Sequence, residues 1–72
     1  MTPLETVLPL YGYWKPLATR QQILDFCNIL LVITEQCIDD YYDRKYDPVY
    51  IKLRAFRESV LNEITAIGKL PL

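Results

Sequence analysis

The chain has 72 residues, 51% of them hydrophobic, and its eight Lys and Arg against nine Asp and Glu leave a net charge of −1. This length holds one small domain and excludes two-lobed or barrel enzymes, while the charge balance gives no overall pull toward nucleic acid or an anionic membrane. With no His in the chain, the commonest general base and the commonest metal ligand are both missing.

Residues 1–18 contain Pro3, Pro9, Pro16 and Gly12 and read as an extended or irregular arm. The arm is rich in large apolar side chains, among them Leu4, Leu8, Tyr11, Tyr13, Trp14 and Leu17, so it is expected to dock on something. Its start has no basic n-region, and the prolines and Gly12 interrupt the apolar run, so no secretory leader is expected.

Residues 19–72 read as a helical hairpin. Thr19-Arg20-Gln21-Gln22 fits a capping box, which predicts a helix over about 20–44. Asp47 is a good N-cap and Pro48 suits the first helical position, predicting a second helix over about 48–67 with Gly68 able to take the left-handed closing conformation. With residues 45–47 alone between them, the two helices should fold back antiparallel.

On a helical wheel the first helix gathers Ile23, Cys27, Leu30, Leu31, Cys37 and Ile38, with other apolar residues, over an arc of roughly 180°; these are the expected core and dimer residues. Ile29 falls at its border and Val32 among the polar residues opposite. The second helix has a narrow seam of Val49, Leu53, Phe56, Val60, Ile64 and Ile67. The second helix therefore needs one neighbour and the first needs two. Each large aliphatic side chain left in water forfeits about 1.5–3 kcal/mol, so something must cover the first helix, either a second copy of the chain or its own N-terminal arm, or both. The expectation is an all-α hairpin with an extended N-terminal arm that dimerises into a four-helix bundle.

The string Asp39-Asp40-Tyr41-Tyr42-Asp43 has the D-D-x-x-D spacing by which prenyl-transferring enzymes hold magnesium and a diphosphate. Those enzymes need a large helical enclosure and a second acidic site, for which this chain has no room, so neither a metal nor a cofactor is expected. The plainer reading pairs Asp39, Asp40 and Asp43 with Lys52, Arg54 and Arg57 across the hairpin, and Asp40 with Arg44 at i, i+4. Tyr41, Tyr42, Tyr46 and Tyr50 are expected mainly to close the bundle end. Lys52, Arg54 and Arg57 also offer the one feature favouring nucleic acid, opposed by the neighbouring aspartates.

Cys27 and Cys37 lie about 15 Å apart along one helix and cannot pair there. Two free thiols suit a reducing cytoplasm, and neither has a base nearby to activate it. The longest apolar stretch contains Asp25, Asn28, Glu35 and Gln36 and is too short and polar to span a bilayer. No catalytic residue is expected. The function expected is a small non-enzymatic protein-interaction module, an adaptor, inhibitor or accessory subunit, homodimeric, that meets another protein through Tyr11, Tyr13, Trp14, Asp39, Asp43, Arg54 and Arg57. The alternative is a small regulator touching nucleic acid through the basic residues of the second helix.

Overall fold

In the computed structural model, which describes residues 3–69, every regular element is helical: α1 Pro3–Val7, α2 Pro9–Trp14, a single 3₁₀ turn Lys15–Leu17, α3 Arg20–Asp40 and α4 Pro48–Gly68. The capping box forms as its residue types dictate. The Gln22 amide donates to the Thr19 hydroxyl at 3.1 Å and the Gln22 side chain accepts from the Thr19 amide at 2.9 Å, so two orphan donors of α3 are satisfied reciprocally. Asp47 accepts from the Val49 amide at 2.8 Å and Pro48 stands in the first turn of α4.

The hairpin of α3 and α4 is antiparallel, but three local expectations are corrected. First, α3 stops at Asp40 rather than near residue 44, and residues 41–47 form turns tied by Arg44 N–H to the Tyr41 carbonyl and Asp47 N–H to the Arg44 carbonyl, both 2.9 Å. Asp39, Asp40 and Asp43 crowd the end of a helix whose dipole repels negative charge, and the helix yields there. Second, with the helix ended, Asp40 and Arg44 are no longer one turn apart; Arg44 instead lies 4.0 Å from Asp43 and over the Tyr41 ring. Third, no described glycine has a positive φ. Gly68 is the last residue of α4, and its carbonyl accepts from the Arg20 guanidinium at 3.1 Å, which ties the two chain ends of the hairpin together.

The largest correction concerns the arm, which is helical and not extended. Pro3 and Pro9 each take the first position of a short helix and Pro16 lies in the 3₁₀ turn, positions at which a missing N–H costs nothing. The prolines that seemed to forbid helix instead start it. The arm folds back onto its own hairpin: Leu4 and Tyr11 are buried in one cluster with Ile23, Cys27, Val60 and Ile67, and Leu8, Phe26, Leu30, Phe56 and Ile64 pack around them. Accordingly α4 has two neighbours, α3 and α1, although its narrow seam implied one.

Of the expected core, Ile23 and Cys27 are buried, while Leu30, Leu31, Cys37 and Ile38 are half-buried. Thr34 is also buried, and its hydroxyl donates to the Leu30 carbonyl at 2.6 Å, so that this polar group is satisfied within the helix. The uncovered surface of α3 runs along Ile29, Val32 and Ile33, which keep 59%, 55% and 51% of their area in water.

Candidate functional site

The arm is held to the hairpin by a polar clasp. Glu63 occupies the seam of α4, between Val60 one turn before it and Ile67 one turn after, and its side chain is fully buried. The Tyr11 hydroxyl donates to Glu63 Oε2 at 2.6 Å, and Lys15 Nζ reaches the same oxygen at 3.1 Å and Glu5 Oε1 at 3.2 Å. Tyr11 and Lys15 stand one turn apart, so a single helical face presents both donors to the carboxylate. A buried carboxylate is tolerated only with such donors.

Burial, and then the bond to Glu63, push the Tyr11 phenol above the ordinary tyrosine range. For Lys15, burial pulls the ammonium down, but its bonds to Glu63 and Glu5 outweigh this and leave it raised. Around the clasp the Tyr11 ring stacks on Phe26 at 5.7 Å and Trp14 leans on Phe26 at 5.3 Å, contacts that align two rigid aromatic surfaces.

Tyr11 therefore does not stand on the surface where a partner could reach it; its hydroxyl belongs to the clasp. Tyr13, in the same α2, does face outward, whereas Trp14 packs its ring against Phe26. Leu10, Tyr13 and Leu17 are 81%, 78% and 85% exposed and Trp14 is 37% exposed. Between the arm and α3 lies a depression of about 300 Å³ lined by Leu10, Tyr11, Trp14 and Phe26. A second, of about 280 Å³, follows along α3 between Asn28, Ile29, Val32 and Ile33. Phe26 lies one turn from Ile29 and two turns from Ile33, so these apolar surfaces follow one another along the same side of the molecule.

The charged residues assemble differently from expectation. Asp39, Arg54 and Arg57 come together at the turn end, where with Glu35 and Ile38 they line an open depression of about 390 Å³. Asp43 is not part of it and is exposed. The acid that pairs across the hairpin is Glu35, which accepts from Arg57 Nε at 3.2 Å, and Arg54 bonds the Tyr50 hydroxyl at 3.0 Å. Arg57 lies one turn before Leu61 and faces the α3 turn that bears Glu35, so the acid chosen is the one opposite it rather than those crowded at the helix end. Instead of closing the bundle end, Tyr42 and Tyr46 stand in solvent, with Lys45 over the Tyr42 ring.

Cys27 and Cys37 are both free thiols. Burial pushes the Cys27 thiol up, which disfavours the nucleophilic thiolate. Among the described residues no three carboxylates or thiols gather closely enough to hold a metal ion, and no helix is long and apolar enough to cross a membrane.

The sequence reading missed Glu63, Lys15 and Glu5. The signal for Glu63 was its spacing: Phe56, Val60, Glu63 and Ile67 form a 4-3-4 run in which an acid takes a core position and so requires a buried donor. No protein-family model, no curated protein and no solved structure matches this chain.

Proposed function

We propose that the chain is a small non-enzymatic protein-interaction module, an adaptor, an inhibitor or an accessory subunit of a larger assembly, which acts by covering or tethering a partner. The observation that carries this reading is the display of Leu10, Tyr13 and Leu17, nearly all in water, on an arm held in place by a buried clasp. Aromatic and aliphatic side chains presented on a rigid support lose little freedom on binding and are the usual anchors of an interface. Contiguous exposed apolar surface of this kind marks contact sites. The charged depression of Asp39, Arg54 and Arg57 supplies a polar margin at the other end. Two free thiols suit a reducing compartment, so the cytoplasm is the proposed place of action, and the working form is proposed to be a homodimer.

A photo-crosslinking residue placed at Tyr13 of the full chain, expressed in its native cell, tests the reading. One discrete adduct with a protein other than this chain is expected, absent when the same residue is placed at the exposed Glu58 of α4. Equal labelling from both positions, or no such adduct from Tyr13, overturns it. Salt-dependent retention on nucleic acid, lost when Lys52, Arg54 and Arg57 are neutralised, would put a nucleic-acid regulator in its place.

A further inference from the structure

We infer that a second copy of this chain docks antiparallel on the arm-bearing face of the hairpin, the arm of each copy lying in the half-groove that the other leaves open. This rests on the proposed reading of the chain as a self-pairing interaction module and specifies the surface and the register. The groove between α3 and α4 has two halves. In the half remote from the turn, the arm sits over Phe26 of α3 and Glu63 of α4. Helical periodicity continues the same two stripes toward the turn, two and three turns on, as Ile33 and Cys37 from α3 and as Phe56 and Lys52 from α4. Every hydrogen bond and ring contact described between arm and hairpin falls in the first half. One face thus has a raised end, crested by Leu10 and Leu17, with Tyr13 turned to the side of the arm that Glu5, Pro9 and Gly12 line, and a low end floored by Ile33, Cys37 and Phe56 with the exposed Lys52 at its rim.

A raised apolar end and a low apolar end on one face fit each other when a second copy is turned end for end. Such pairing is isologous and closed, as two-fold dimers are. Charge selects the same direction. From Gln21 to Asp43 the chain carries Asp25, Glu35, Asp39, Asp40 and Asp43 and no basic residue. A parallel alignment would set each acid of α3 against its own copy, whereas reversal about Leu30, the middle of α3, brings Asp40 to Arg20 and Asp39 to Gln21. The molecule measures 42 × 18 × 17 Å, so its long face is large enough in outline to hold an interface that buries the ~800 Å² of accessible surface per partner usual for a stable complex.

The mass of the full chain in solution, by light scattering at micromolar concentration, reads the pairing. Twice 8.5 kDa is expected. Leu10→Glu on the crest and Ile33→Lys on the floor should each return the mass of a single chain with helical circular dichroism unchanged, because both side chains are exposed in the lone hairpin. Ile51→Glu, on the outer side of α4, should leave the doubled mass. Mixing the two variants in equal amounts should restore it, since one crest–floor contact then joins Glu to Lys and the other is native. The milder Leu10→Ser and Ile33→Gln should each weaken pairing about tenfold or more.

A wild-type chain of single mass overturns the inference. So does a doubled mass that survives Leu10→Glu or Ile33→Lys, or a mixture that stays single. The proposed function has a separate readout, the identity of what Tyr13 labels: a single-mass chain that still gives an adduct with another protein removes the pairing alone, and a doubled mass whose Tyr13 adduct holds only a second copy of the chain removes the outside partner alone.

Discussion

Glu63 is the side chain on which the placement of the arm turns, and its donors set how stability responds to mutation and pH. Tyr11→Phe keeps the ring stacked on Phe26 and deletes the 2.6 Å bond to a buried carboxylate, so it should lower stability by about 1.5–3 kcal/mol. Tyr13→Phe, in solvent, should change it by less than about 0.5 kcal/mol, and urea unfolding followed by circular dichroism separates the two. The pH response follows from the same contacts. Tyr11 and Lys15 are both raised from their ordinary values of 10.0 and 10.5, so between the unfolded and folded values the native state holds protons that the unfolded chain has released, and stability falls as pH rises. The contribution is complete below about pH 10 and lost above it. Melting temperature should drop over that alkaline range, and less so in Tyr11→Phe. This clasp was only partly legible in the sequence. Tyr11 could be picked out as an aromatic of the arm, but a phenol that anchors a partner and one that anchors its own chain are the same residue type. What separates them is the acid 52 positions away, visible beforehand only as a break in the apolar seam of α4.

The long helices were the most legible elements, because their starts are written in short-range chemistry that tertiary structure did not override. Thr19 and Gln22 satisfy each other's amides, and Asp47 accepts from the Val49 amide, all within three residues. Thr19→Ala and Asp47→Ala should therefore each cost about 1 kcal/mol, which chemical denaturation can measure, and the two losses should add because the caps stand at opposite ends of the hairpin. Helix ends were less legible. The acids from Asp39 onward oppose the dipole, but where the helix gives way depends on what the turn residues can bond instead. The arm was misjudged for a related reason: proline forbids the interior of a helix and favours its first turn, and spacings of six and seven between Pro3, Pro9 and Pro16 permit helices only just long enough to exist. Helices of five and six residues are too short to persist alone. Their stability comes from packing on the hairpin, which propensity cannot report.

At the scale of the whole molecule, α3 has more apolar surface than α4 alone can shelter, and the arm covers only part of the remainder. The arm shelters Ile23, Cys27 and the flank of Phe26, and so resolves the half of α3 remote from the turn; Ile29, Val32 and Ile33 stay in water. Among the described residues six hydrophobic side chains are buried, and domains this small commonly draw on association for part of their stability. If folding and pairing are linked in this way, the unfolding midpoint must depend on protein concentration, since a dimer is favoured over two unfolded chains by mass action. Thermal unfolding across a hundredfold range of concentration should therefore show a rising midpoint for the native chain. Ile33→Lys should melt at the lowest native midpoint and show no dependence on concentration. An invariant midpoint in the native chain would mean that the arm and hairpin suffice alone, and that the exposed face of α3 is kept for a partner other than itself.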